Sequence, residues 1–264
     1  MTFTDLDARM RTFEATHDPS VLPGLYRVVR LDGRGFTKLT KETHDFEAPF
    51  DPRMRDHMVS TVRHLMEVGF RVVLGYTQSD EISLLLHRDG DAFSRKLRKT
   101  NSVLAGEASA HFSLQLGGHG VFDSRVSQLP DFEHVVDYFA WRQADASRNA
   151  LSAHAYWALR RDGLGARAAS EQTEGMSASA KNELLFARGI NFDALPAWQK
   201  RGLCVFWGQE RRKGHNPVTG EDVEVERRVL KVDDDLPRGD AWMAYIRGFR
   251  EAAGEVEGRT AQGA

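Results

Sequence analysis

Residues 75 to 86, GYTQSDEISLLL, constrain the fold of this chain more than any other stretch. Runs from Phe70 to Leu74 and from Ile82 to Leu86 flank Gln78, Ser79, Asp80 and Glu81. Two β-prone runs this close together predict an antiparallel hairpin with its turn among the acids. Asn-Gly or Asp-Gly would make such a turn at less electrostatic cost. A solvated acidic tip is the plain interpretation. A functional one needs another acid close by.

The elements around the hairpin supply a place for that acid. A helix is expected at about residues 4 to 16, broken by Pro19 and Pro23, and then a strand from Tyr26 to Leu31 closed by Asp32. Residues 33 to 51 read as an irregular loop. Asp51-Pro52 caps a helix whose apolar positions Met54, Met58, Val62, Leu65 and Met66 recur at three and four, with Gly69 at its end. After the hairpin, a helix over about 91 to 116 places Phe93, Leu97, Leu104, Ala108 and Phe112 on one face, and a strand follows near Arg125 to Gln128. This is the β-α-β-β-α-β order of a ferredoxin-like sheet, an α+β fold. Its first and third strands are central, so Asp32 and Asp80 are expected to be neighbours.

From Asp131 to Asp162 there is no glycine or proline. One long helix or two abutting ones would fit, up to about 48 Å. A helix at 177 to 187 follows, and GLCVFWGQERRKGHNPVTGEDVEVERRVLKV reads as a long hairpin with a mobile tip between Lys213 and Gly220. The last residues, EAAGEVEGRTAQGA, are expected to fray.

Composition narrows the function. With 36 basic and 38 acidic residues the net charge is −2, so a globally basic nucleic-acid binder is not indicated. Local basic tracks remain: Arg95 to Lys99, Arg160 with Arg161, and Glu210 to His215, each read first as a solvated face. The single cysteine, Cys204, excludes an intramolecular disulfide and a cysteine-rich zinc site, and it agrees with a cytoplasmic location. No apolar stretch is long enough to cross a bilayer, and the first residues carry no export pattern.

Two carboxylates on adjacent strands repel each other unless a cation lies between them. Oxygen ligands without nearby cysteines point to Mg²⁺, which shares its shell with nucleotide phosphates. Two such ions would activate an attacking hydroxyl and stabilise a leaving pyrophosphate, the chemistry of polymerases and nucleotide cyclases. In LDGRGFTK, Gly33 and Gly35 let the backbone approach phosphate oxygens, and the Gly33 carbonyl would add a metal ligand. The loop lacks the GK[ST] ending of a P-loop. His57 and His64 lie seven apart on one helix with no acid or histidine partner visible in the sequence, and are read as surface residues.

With LDGRGF, HDFEAPFDPR, GYTQSDEISLLL, FDSR, YFAWRQADASRNALSAHAYWAL and KNELLF in this order, the sequence resembles the tRNA-His guanylyltransferase superfamily, in particular its bacterial Thg1-like branch. The similarity runs from about residue 25 to 210. It implies a polymerase-type palm over residues 1–130, with residues 131–264 forming a largely helical region with a long hairpin, packed on the palm as one globular unit. The implied activity is Mg²⁺-dependent 3′-to-5′ addition of nucleotides to the 5′ end of tRNA, after adenylylation of a 5′-monophosphate. GTP and ATP would be substrates, and the assembly a homotetramer.

Carried over by motif, Asp32 and Asp80 would hold two Mg²⁺ ions with the Gly33 carbonyl, and Glu81 would complete the catalytic acids. Arg34, Gly35, Phe36, Thr37 and Ser79 would border the nucleotide. Arg95, Lys96 and Lys99 would meet triphosphates, and Arg125, Asn149 and Lys181 the RNA. The sequence also departs from the pattern. Where the eukaryotic motif reads HINNLYNT this chain has SRNALSAH, with Ser147 and Ala153 replacing a histidine and an asparagine. Thr37 replaces a histidine, and KPND becomes APFD with Ala48 and Phe50. The readings are templated repair of 5′-truncated tRNA, strict addition of one G to tRNA-His, a palm-type nucleotide cyclase, or an inactive RNA-binding protein.

Overall fold

The computed structural model describes residues 2–215 and 222–255. Helix α1 (Phe3–Glu14) opens with Thr2 and Asp5 exchanging hydrogen bonds in a capping box. The palm sheet is built from β1 (Tyr26–Arg34), β2 (Val72–Gln78), β3 (Glu81–Leu86) and β4 (Val121–Leu129). Their spatial order is β4-β1-β3-β2, as the β-α-β-β-α-β pattern requires. All pairings are antiparallel.

The two faces of the sheet carry separate cores. Alternate residues Val29, Leu31, Ile82 and Leu84 pack beneath α3 (Pro52–Leu65) and α4 (Leu97–Leu116). Asp51 caps α3 by accepting from the Arg53 N–H. Met54, Met58, Val62, Leu65 and Met66 are all buried in this core, each large apolar side chain contributing about 1.5–3 kcal/mol. On the opposite face Tyr26, Val28, Tyr76 and Leu85 meet the single long helix α5 (Phe132–Arg161) and α9 (Asp240–Arg247), whose Trp242 donates its indole N–H to the Phe139 carbonyl.

Three features differ from the sequence expectation. Strands β5 (Leu203–His215) and β6 (Asp222–Asp233) extend the palm sheet to six strands, because β5 pairs with β2 from Leu203 to Phe206. The hairpin tip and the last nine residues lie outside the described residues. Helix α4 begins at Leu97, not near residue 91, since Phe93, Ser94 and Arg95 take positive φ values of 53°, 53° and 59°. Phe93 therefore leaves the helix face and is 48% exposed. Between β1 and α3 the loop contains a short helix, α2 (Phe36–Lys38), and a π-helical turn at Leu39–Thr43. Beyond α5 come α6 (Ala166–Glu174), α7 (Ala178–Phe186) and α8 (Ala197–Arg201). No described helix is long and apolar enough to cross a membrane.

Candidate active site

The end of β1 meets the tip of the β2–β3 hairpin. The backbone N–H of Gly33 donates to the Asp80 carbonyl at 3.0 Å, so Asp32 and Asp80 lie on adjoining backbone segments. Only one of the two hairpin acids is in the turn. Ser79 and Asp80 form it, with Ser79 at φ 55°, while Glu81 opens β3 opposite Gln78. Its other neighbour in register is Asp32.

Burial pushes the Asp80 carboxyl up, and the charge of Asp32 acts in the same direction. Neither acid forms an ion pair with a basic side chain among the described residues. Glu81 differs: burial raises it too, but Arg142 of α5 donates to its two oxygens at 2.7 and 2.6 Å, and Arg30 lies 3.9 Å away. Glu81 is thus a neutralised anion beside the pair, not a third free carboxylate.

The sequence reading missed Asp123. It stands opposite Asp32 on β4, so Asp123, Asp32 and Glu81 form one row across three strands. The adjoining row holds Arg125 and Arg30, also directly opposed. Each outer acid has a base from that row, with Arg125 to Asp123 at 3.4 Å and Arg30 to Glu81 at 3.9 Å. The FDSR motif pointed to this strand, but a register cannot be read from one strand alone.

A cleft of about 320 Å³ opens from Ser79, Asp80 and Glu81 and is lined by Phe36, Thr37, Ala48, Phe50 and Asn149. Its lining also includes Lys41, Arg55, Trp157 and Trp198, four residues the sequence reading did not select. The Arg55 guanidinium lies 5.1 Å from the Trp198 ring centre, and the Lys41 ammonium 5.2 Å from those of Tyr156 and Trp157. A signal for Trp157 was available: Asn149, Ala153 and Trp157 recur every four residues of α5 and all line the cleft. Gly33 cannot carry a side chain, because a Cβ there would meet the Phe36 ring at 2.5 Å. Phe36 itself is a core residue, 5.0 Å from the Phe112 and Phe122 rings, and only borders the cleft. Gly35, at φ 73°, starts α2, and Arg34 is exposed.

The basic cluster is corrected in part. Arg95 is buried, and its guanidinium donates to the carbonyls of Val21, Leu22, Leu25, Arg88 and Gly90. With its donors taken up by the backbone, it has none for a triphosphate. Lys96 and Arg98 share Asp18 at 2.6 and 3.1 Å, and their hydrogen bonds, that of Arg98 foremost, hold the Asp18 carboxyl at about 2. Lys99 lies over the Phe93 ring at 5.7 Å. Of the residues assigned to RNA, Asn149 donates to Asp145 at 3.3 Å and Lys181 to Ser152 at 2.9 Å. Ser147 donates to the Lys200 carbonyl at 2.9 Å, a structural bond between α5 and α8.

His57 and His64 are also partnered, contrary to the sequence reading. His64 bonds Glu107 at 2.8 Å and stacks on His111 at 4.3 Å, and His57 meets Gln115 at 3.3 Å. These partners come from α4, which the spacing within α3 could not reveal. Among the described residues no three His, Cys, Asp or Glu side chains form a metal cage.

An antiparallel palm with an acid at the end of its central strand, a second at the hairpin tip and a cleft beside them defines a palm-type nucleotidyltransferase. Residues 7–136 match the family described as tRNAHis guanylyltransferase, and residues 133–235 its C-terminal domain. A probable tRNA(His) guanylyltransferase of Drosophila melanogaster is 35% identical over 246 residues, 89% of this chain and 82% of its own. The tRNA(His) guanylyltransferase of Neurospora crassa is 33% identical, covering 78% and 74%. Among solved structures, a bacterial Thg1-like protein in complex with ATP superposes with a TM-score of 0.71 at 26% identity, covering 94% of this chain and 98% of that one. The Saccharomyces cerevisiae enzyme gives 0.67 at 26% identity, covering 75% and 91%. The chain belongs to the tRNA(His) guanylyltransferase family.

Proposed function

We propose that this protein adds nucleotides in the 3′-to-5′ direction to the 5′ end of tRNA, with Mg²⁺, and that it repairs 5′-truncated acceptor stems by copying the opposite strand. The observation that carries the reading is the Gly33–Asp80 backbone bond, which joins the segment bearing Asp32 to Asp80, a carboxylate that lines a nucleotide-sized cleft. The donor set fits a hard divalent ion: Asp32, Asp80 and the Gly33 carbonyl supply oxygens, leaving other positions to water and phosphate. Bound there, two Mg²⁺ ions would lower the pKa of the attacking hydroxyl and neutralise the leaving phosphates.

The chain's own groups do the remaining work. Trp157, Trp198 and Phe50 give the base an aromatic wall, and Lys41 and Arg55 place positive charge along it. The 3′-hydroxyl of the incoming nucleotide attacks the activated 5′ α-phosphorus of the RNA. The new O–P bond forms as the bond to the leaving AMP or pyrophosphate breaks. Arg142 keeps Glu81 fixed and neutralised, so the field at the metal site comes from Asp32 and Asp80. Incubation with a 5′-truncated tRNA, labelled NTPs and Mg²⁺ tests the reading: stepwise extension that stops when the stem is complete supports it, and no extension refutes it.

The names of the relatives favour a second reading, addition of one G to tRNA-His. Against it, Ser147 is tied to the Lys200 carbonyl and Ala153 faces the cleft, so neither serves to read an anticodon. Anticodon swaps separate the two, because only the second reading makes addition follow the His anticodon. The family implies a homotetramer, in which a second copy would cover the exposed apolar face of α1, with Phe3 and Phe13 at 82% and 72%; light scattering would test it.

A further inference from the structure

The cleft borders Asp80 and is lined in part by α5. About two turns before the residues by which α5 lines that cleft, the same helix presents Trp141, which is 53% exposed despite its size. Its ring is held in place. The Arg142 guanidinium lies 4.5 Å from the ring centre, and Tyr138 packs edge-on at 5.8 Å and 81°. Because Arg142 also grips Glu81, Trp141 is mechanically tied to the acid row.

The sheet row that adjoins the acids is basic. Arg30 and Arg125 stand directly opposite each other on β1 and β4, each with an acid of the adjoining row beside it, Glu81 at 3.9 Å and Asp123 at 3.4 Å. The Arg30 Nε is buried without a hydrogen-bond partner. The side chains of Arg125 and Arg148 are 57% and 75% exposed. A fixed, part-exposed indole beside arginines is the chemistry that receives a nucleobase and its phosphates.

We propose that Trp141 is a stacking platform for the terminal base at the 5′ end of the RNA, with Arg30 and Arg125 facing the adjoining phosphates. This rests on the nucleotide-addition reading above. The reaction joins two substrates, and the cleft accounts for only one. A protein partner fits less well, because interface tryptophans sit in desolvated apolar pockets, whereas this one carries the Arg142 guanidinium against its ring. Stacking is indifferent to base identity, so the platform accepts any 5′ end and leaves selection to pairing with the template.

The test uses the full chain and a tRNA acceptor stem-loop lacking its 5′-terminal nucleotide, with 2-aminopurine as the new 5′-terminal base. Stacking quenches its fluorescence. Wild-type protein should quench it, and Trp141→Ala should abolish the quenching and weaken RNA binding about 5- to 100-fold. The NTP requirement and the salt dependence of RNA binding should be unchanged in that variant. Trp141→Phe, which keeps a ring, should recover most of the affinity. Arg125→Ala should instead reduce the salt slope by about one unit. If Trp141→Ala quenches and binds like wild type while wild type extends the RNA, the platform is refuted and the enzymatic reading stands. If wild type neither binds nor extends the RNA, both fall.

Discussion

Arg142 holds Glu81 by two parallel hydrogen bonds, from Nε at 2.7 Å and from Nη2 at 2.6 Å, and extends the network to Asp145 at 3.0 Å. This pair is what makes one of three aligned acids unavailable as a free carboxylate. Truncating one partner of such a buried pair leaves the other uncompensated. Arg142→Ala should therefore destabilise the fold by about 3–5 kcal/mol, and the double variant with Glu81→Gln should recover a large part of that loss. Urea melts of the four proteins of the cycle would measure the coupling, and simple additivity would refute it.

Asp80 has the opposite character. Its carboxyl is raised by burial and then by Asp32, so the folded state binds its proton more tightly than the unfolded chain does. Stability contributed by this group is therefore lost as pH rises from the unfolded value near 3.8 through the higher folded one. Asp80→Asn removes that loss. The variant should melt at the same or a higher temperature than wild type at pH 7, while nucleotide addition with Mg²⁺ disappears. Wild-type addition by the purified variant would overturn the metal assignment.

Arg95 should behave as a structural residue. Arg95→Ala leaves five backbone carbonyls short of a charged donor and should cost at least about 3 kcal/mol. Arg95→Lys should rescue little, since an ammonium cannot span the same carbonyls. Denaturant midpoints test the loss. The NTP requirement of the folded fraction should be unchanged, and a raised one would restore the phosphate role.

His154 offers a pH test away from the acids. It is buried against Phe50 and Phe192, and burial, with Arg161 adding to it, lowers its pKa to about 4. The unfolded chain then binds the extra proton first, so stability falls as pH drops from about 6.5 towards 4, by about 3 kcal/mol in total. Replacing it by Leu should flatten the profile over that interval. Melting temperatures of the two proteins between pH 4 and 7 would show whether it does.

The order of elements, the cap at Asp51, and the placement of Asp32 beside Asp80 were legible in the sequence. They depend on local periodicity and on the topology of one sheet. The helical run from Asp131 to Asp162 was legible too, because it holds no glycine or proline, but that it is one helix and not two abutting ones came from the structure. The sequence also identified the family, since its motifs hold residue types in a fixed order.

Only the tertiary structure decided how the charged residues are used. Arg95 looked like a phosphate ligand until positive φ values at 93 to 95 turned it inward, and Glu81 looked catalytic until Arg142 arrived from 61 residues away. Asp123 joined the acid row through strand register, Trp198 reached the cleft from α8, and His64 found Glu107 and His111 on a second helix. In each case the partner is distant in the chain. Local sequence fixes backbone preference and hydrophobic phase over a few residues, whereas the fate of a charge depends on what the folded chain brings within about 4 Å of it, where Coulomb and hydrogen-bond energies become decisive.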